Sequence, residues 1–398
     1  MDSFRQAHRT DCNIRSHAAQ SVEIPDSKSS FVSTTRTHGI SFHDLFHHEK
    51  TNLALSKFVT NIPISRPTKR KHYALQDVYR RISVPAPSSK FDWKTLSASS
   101  VATVPADRLP TSIELPALPH AVTEFVQKSS NPNFDAADLA RTVEKDSALT
   151  IELLKFVNSA AFSVKNQIRS VKDAIVHIGV NSARAHLLAV GMKAATRALR
   201  TKLLNQRNFW NESLQKALFA KEVAKRMELD SGLAFLGGLL QDFLLPVLTN
   251  TFDRQYMAFL ERSSTEGRDL VEMEHECFGW DHASAGAYFA AQWHFPDDLR
   301  CAIFYHHSLP MTLADPNGEL FQLFPVALAS LLPDQLHQSP EGFRTLIRVA
   351  RQSRSLDLEA ICRTVDADQM KLAEGYEIPN HLTELLIHTE RSMFAAQV

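Results

Sequence analysis

Six polar residues interrupt the apolar helical patterning of the chain's second half: Glu212, Gln241, Asp242, His282, His306 and His307. The sharpest case is Asp242, set among leucines in "GGLLQDFLLPVL" (Gly237–Leu248). A buried carboxylate without a partner is costly, so this one requires a reason. Imidazoles and carboxylates on facing helices are the donors that hold transition-metal ions in bundle cores. A metal held that way can bring a bound water's pKa toward neutrality and so support hydrolysis. Gln241, next to Asp242, offers only a neutral amide oxygen, a poor ligand for such ions. Structural roles compete with this chemistry. Asp242 could bond a neighbouring helix N-terminus or His282, because buried polar groups are usually satisfied. His282 follows Asp281 at a helix start. His306 and His307 close a helix, where an imidazolium suits the negative end of the dipole. Glu212 is expected in the first turn of its helix, where a carboxylate is favoured without any metal.

The elements that must position these residues are helical. Residues 115–162 carry three amphipathic helices, with Asp135 capping the second and Asp146 the third. Ser170 and Asp173 resemble a capping box, Gly179 ends that helix, and Asn181 or Ser182 is expected to cap the next. Residues 209–229, 281–293 and 295–307 are amphipathic, the last with Pro296 at its start. The 341–394 stretch is helical too, with faces that pack back on the core. No alternating pattern is long enough for a sheet, and no repeat of 20–50 residues is visible. The expected class is all-α.

Composition narrows the function classes. The 398 residues are 44% hydrophobic, enough for a sizeable core, and only 12 are glycine, which disfavours a loop-rich or all-β protein. The four cysteines (Cys12, Cys277, Cys301, Cys362) form no CxxC pair, which speaks against a zinc knuckle or a disulfide framework and fits a reducing compartment. "MDSFRQAHRT" has no apolar run behind its charges, so no secretory signal is expected. Apolar runs such as Phe324–Leu332 fall short of the ~20 residues that span a bilayer.

The net charge of zero hides an asymmetry: residues 1–105 hold 15 Lys/Arg against 8 Asp/Glu, and the rest is acidic by the same margin. Within that basic segment, residues 1–38 read as disordered, Ser41–Phe58 as a short helix, and Tyr73–Ile82 as an amphipathic helix. Residues 83–90 and 97–110 read as linkers. Lys69, Arg70, Lys71, Arg80 and Arg81 could meet phosphates, but no helix-turn-helix or RNA-binding signature accompanies them, so nucleic-acid binding is not the leading expectation.

Four stretches carry a family resemblance. They are "LPALPHAV", "KDSALTIELLKFVNSAAFSVKNQIRSVKDAIVHIGVNSAR", "GGLLQD" and "FGWDHASAGAYFAAQWHFPDDLRCAIFYHH". Together they resemble the HDOD domain, a bacterial all-helical module related to metal-dependent HD phosphohydrolases and HD-GYP cyclic-dinucleotide phosphodiesterases. The resemblance implies a signalling or regulatory role. Catalytic HD proteins use a His, a His-Asp pair and a distal Asp as metal ligands. The match sets these at Glu212, Gln241-Asp242 and near Ser330, so Asp242 alone keeps its type. His282, His306 and His307 match further histidines of HD-GYP-like members. With Gln241 and Ser330 neutral, the metal motif is degenerate.

The expectation is therefore a cytoplasmic, all-α, HD-like multi-helix bundle with an N-terminal helical subdomain. It comprises a basic, loosely ordered segment (1–105), an HDOD domain (106–310) and a helical extension packed on its core (311–398). It is expected to act without catalysis, through an unidentified protein partner in signalling, with no cofactor and no metal. Glu212, Gln241, Asp242, His282, His306, His307 and Ser330 would then be a vestigial site. The alternatives are a divergent metal-dependent phosphohydrolase acting on a cyclic dinucleotide or nucleotide, and nucleic-acid association through the basic segment.

Overall fold

The structure, a computed structural model, describes residues 92–395 apart from 111–112, 114–116, 130, 132, 159–166, 198, 200, 315–317, 319, 354 and 373–380. The elements expected at 41–58 and 73–82, the linker at 83–90 and the basic cluster at 69–81 lie outside the described residues. Those that are described form helices and no strand.

Helix α1 (Trp93–Ala102) takes up the first six residues of the linker expected at 97–110, and the remainder is irregular. Asp92 caps it, accepting from the Thr95 N–H at 3.1 Å. Its serine-rich sequence shows little apolar periodicity, yet Ser97 and Ser100 are buried and Trp93 and Leu96 pack on the core. Ser100 Oγ satisfies itself twice, on the Leu96 carbonyl at 2.8 Å and on the Tyr305 hydroxyl at 2.9 Å. Small residues that bond their own turn let this helix lie close against its neighbours, and a hydrophobicity pattern cannot register that.

A five-helix lobe follows: α2 (His120–Ser129), α3 (Ala136–Glu144), α4 (Ser147–Asn158), α5 (Val171–Ile178) and α6 (Val180–Thr196). Asp135 accepts from the Ala137 N–H at 2.9 Å, and Asp146 accepts from those of Ala148 and Leu149, as their positions before apolar runs predict. Ser170 accepts from the Asp173 N–H at 3.0 Å and donates its hydroxyl to the Asp173 carboxylate. Asn158 fastens the return of the chain, with its amide donating to the Ile168 carbonyl and accepting from the Ile168 N–H. Gly179, at φ +81°, both ends α5 and begins α6. Asn181 and Ser182 therefore lie inside α6 and do not cap it, because the turn is made by a single left-handed residue.

The centre of the molecule is the pair α7 (Gln206–Arg226) and α8 (Ser231–Leu240). Gly237 and Gly238 set their spacing. A Cβ on Gly238 would lie 2.8 Å from the Lys216 carbonyl oxygen and 2.9 Å from the Ala217 Cα, and one on Gly237 would lie 2.8 Å from a Val326 methyl. A turn over 241–244 leads to α9 (Leu245–Thr251). The 21-residue run Ser231–Thr251 is longer and more apolar than the sequence reading allowed for. Its mean hydropathy of 1.5 reaches that of a membrane span, but 89% of its apolar 18-residue window is buried inside the bundle.

Around this centre pack α10 (Asp253–Glu266), α11 (Leu270–Phe278), α12 (His282–Gln292), α13 (Asp297–Tyr305), α14 (Leu309–Ala314) and α15 (Phe324–Ala329). The chain ends in α16 (Gly342–Gln352), α17 (Leu358–Leu372) and α18 (Leu382–Ala395). Gln369 of α17 bonds Gln215 and the Asn211 carbonyl of α7, both at 3.0 Å. Asp366 caps α18, accepting from the N–H groups of Leu382 and Thr383.

Candidate functional site

Four elements deliver the polar residues to one buried place. The turn after α8 carries Gln241 and Asp242. Asp281 caps α12 in a reciprocal capping box with Ser284, which leaves His282 at the first helical position with its ring turned inward. The end of α13 carries His306 and His307. Helix α7 contributes Glu212 and Lys216. Ligand atoms of Asp242, His282, His306 and His307 all lie within 4.8 Å of one another.

The three inner members form a triangle. His282 Nε2 is 3.3 Å from His306 Nε2 and 3.5 Å from Asp242 Oδ1, and His306 Nε2 is 3.4 Å from the same oxygen. His307 Nε2 lies 2.9 Å from His282 Nε2. The far sides of two rings are fixed by acceptors. His282 Nδ1 is 2.7 Å from Glu274 Oε2, and His306 Nδ1 is 2.6 Å from the Ile303 carbonyl. Both Nδ1 atoms therefore carry protons and both Nε2 atoms face the centre. Two neutral rings in that state point lone pairs at each other and at a carboxylate, so a cation, either a proton or a metal ion, is needed between them. Glu274 is fully buried, and its second oxygen is held by the Tyr256 hydroxyl at 2.5 Å.

The other side of Asp242 is already neutralised. Lys216 Nζ lies 2.8 Å from Asp242 Oδ2 and 2.9 Å from Asp334 Oδ2; Lys216 and Asp242 are buried and Asp334 is partly so. Asp334 is further held by the N–H groups of Leu336 and Gln338 and by the Gln338 amide. Burial alone would raise the Asp242 carboxyl, but Lys216, His282 and His306 hold it well below the usual carboxylate range. Burial would lower the Lys216 ammonium, and Asp242 and Asp334 outweigh this to raise it. His282 behaves alike: burial is overcome by Glu274 and Asp242, and its pKa rises to about 10. His307 is driven well below its ordinary value by burial and by the neighbouring His306 and His282.

The remaining candidates stand apart from the histidines. Glu212 lies in the second turn of α7, not the first as its sequence position suggested, because Asn205 caps the helix from further upstream. Its carboxylate accepts from the backbone and side-chain amides of Gln335, and burial together with Asp334 pushes its pKa up to about 7. Gln241 donates to Asp242 Oδ2 at 3.2 Å. Ser330 is buried and donates to the Ala327 carbonyl at 2.9 Å, a bond within its own helix end. Lys216, Asp334, Glu274 and Tyr256 are the members that sequence reasoning missed. A cavity lined by Glu212, Lys216, Asp242 and Asp334 among others measures about 10 Å³. That is the space of a single water at most.

Asp242, His282, His306 and His307 fit a metal ion on chemical grounds. Three imidazoles and a carboxylate suit late first-row divalent ions, and Asp242 Oδ1 has no hydrogen-bond partner although it is buried. The absence of metal expected from the sequence rested on Gln241 and Ser330; Gln241 bonds the other carboxylate oxygen, Asp242 Oδ2, and Ser330 bonds the Ala327 carbonyl.

Comparison with known proteins places this architecture. A solved protein of Shewanella amazonensis SB2B, provisionally named a phosphohydrolase, is 23% identical, with a TM-score of 0.50, covering 68% of this chain and 97% of its own. An HDOD domain protein of unknown function from Geobacter sulfurreducens is 19% identical, with a TM-score of 0.45, covering 76% and 94%. A Marinobacter aquaeolei VT8 protein provisionally named for signal transduction is 20% identical, with a TM-score of 0.46, covering 75% and 64%. An uncharacterized protein of Treponema pallidum (strain Nichols) is 26% identical over 207 residues, which is 52% of this chain and 39% of that relative's length. The family model of the HDOD domain matches residues 115–309, so the stretch that contains the five-helix lobe, the α7–α8 pair and the His306-His307 pair is an HDOD domain.

Proposed function

We propose that the chain is a regulatory HDOD module that acts through a protein partner and does not hydrolyse phosphodiesters. The observation that carries this reading is Lys216. Its ammonium lies between Asp242 and Asp334, on the side of Asp242 where the catalytic relatives' primary ligands map. A lysine ammonium is a cation with no coordination position, so it can neutralise these carboxylates but cannot activate a water. Glu212, Gln241 and Ser330 each bond protein groups and offer no imidazole. The cavity of about 10 Å³ beside Glu212 and Lys216 admits no phosphodiester. The test is hydrolysis of a generic phosphodiester and of a cyclic dinucleotide with added Mn²⁺, Fe²⁺ or Zn²⁺. Turnover no greater than that of Asp242→Ala is expected. Metal-dependent turnover abolished by Asp242→Ala would reverse the assignment.

The second reading, a divergent metal-dependent phosphohydrolase, draws on the convergence of Asp242, His282, His306 and His307. In it those four residues would hold the ion, whose chemistry would be to lower the pKa of a water. The same assay decides between the two.

A further inference from the structure

We infer that Asp242, His282, His306 and His307 bind one late first-row divalent cation per chain, of the Zn²⁺ or Fe²⁺ type, while Lys216 takes the place of a second ion. The inference rests on the non-catalytic reading above and names the ligand of that module.

Three observations carry it. The Asp242 Oδ1, His282 Nε2 and His306 Nε2 triangle has sides of 3.5, 3.4 and 3.3 Å. Donors in a tetrahedron with bonds near 2.0–2.1 Å stand roughly 3.3–3.4 Å apart. The second observation is orientation. Ligating histidines characteristically donate their other ring N–H to a carboxylate or a backbone carbonyl. His282 does the former on Glu274 and His306 the latter on Ile303. Glu274 is a positioning residue, anchored in turn by Tyr256 and by the His282 N–H. The third is Asp242 Oδ1, a buried carboxylate oxygen without a hydrogen-bond partner, aimed at the two rings. Asp242 thus divides its oxygens between two cations, a resident ammonium on Oδ2 and the ion on Oδ1.

The donor set selects against Mg²⁺ and Ca²⁺, which take oxygen ligands. One ion per chain follows from Lys216, because its charge satisfies both Asp242 Oδ2 and Asp334 and leaves no second carboxylate pair for a metal.

The experiment uses the full chain, dialysed against chelator, reloaded with Zn²⁺ or Co²⁺ and freed of excess. Metal content is read by elemental analysis and the Co²⁺ site by its visible spectrum. One equivalent is expected, lost in His306→Gln, with a nitrogen-rich Co²⁺ spectrum in the wild type. Glu274→Gln should keep the stoichiometry but weaken affinity by about 10–100-fold, as loss of an orienting partner does. Circular dichroism of each variant shows whether it is folded. Should His306→Gln not fold, Glu274→Gln and the Co²⁺ spectrum still decide. A folded wild type that retains no metal overturns this inference and leaves the non-catalytic reading standing. Two equivalents overturn the role given to Lys216. Metal-dependent hydrolysis overturns the non-catalytic reading while the metal site survives.

Discussion

Lys216 Nζ stands 2.8 Å from Asp242 Oδ2 across the α7–α8 interface, with both side chains at most 4% exposed. This contact answers why an aspartate sits among leucines, and Asp334 completes it from the opposite side at 2.9 Å. Removing one partner of a buried ion pair leaves an uncompensated charge and typically costs about 3–5 kcal/mol. Lys216→Met strands two carboxylates, so a loss at the upper end of that range is expected. Urea unfolding followed by helical circular dichroism measures it, and an unchanged midpoint would show that Asp242 is neutralised by other means.

The two glycines before this aspartate are a packing device. Gly238→Ala sets a methyl against the backbone of Lys216 and Ala217, which cannot give way without moving α7. Overpacking of this kind costs about 1–3 kcal/mol. Gly286→Ala is the control, because its Cβ would meet mainly the Ile303 side chain at 3.2 Å. The first substitution should lower the melting temperature clearly more than the second, and equal effects would refute the backbone argument.

Asp366 ties α17 to the start of α18 through two backbone N–H groups and the Thr383 hydroxyl. Loss of such a cap costs about 0.5–2 kcal/mol. Asp366→Ala should release amide exchange protection along Leu382–Ala395 before it affects α7 or α8. Uniform loss of protection across the chain would place α18 within the global folding unit.

His186 is buried in α6 and stacks on Phe156, with ring centroids 3.8 Å apart. Burial pushes its pKa down to about 3. The unfolded chain, with a pKa near 6.5, binds more protons between these values. The contribution of His186 is therefore complete above about pH 6.5 and is lost as pH falls toward 3, by at most about 1.4 kcal/mol per pH unit. His186→Phe should flatten the acid side of the stability profile by that slope, measured as urea midpoints at several pH values. An unchanged slope would mean that the ring is not buried neutral.

The caps at Asp135, Asp146 and Ser170 were legible because each bonds an N–H two or three residues away. The all-helical class was legible for the same local reason. The site was legible only in part. Asp242, His282, His306 and His307 announced themselves as polar interruptions of apolar helices. Lys216 did not, because its partners lie 26 and 118 residues away and a lysine on an amphipathic helix reads as solvated. Glu274 was hidden likewise among the charges of α11, and only the fold shows that it is fully buried. A faint signal existed at Asp334, a carboxylate four residues beyond Ser330, close to where the resemblance places a distal ligand.

Helix α1 lies outside the residues that the family model matches, yet it lies on α12 and α13, the two helices that deliver the three histidines. Its Ser100 holds the hydroxyl of Tyr305, the residue preceding His306. The inherited boundary of the domain and its mechanical boundary therefore differ. A protein trimmed to residues 115–309 would keep His282, His306 and His307 but lose the brace behind them, uncovering Cys301 of α13, whose thiol lies against the Trp93 carbonyl. Tugging on the chain upstream of Trp93 would load the His306-His307 end of α13 directly, so in mechanical terms α1 is the handle of the site.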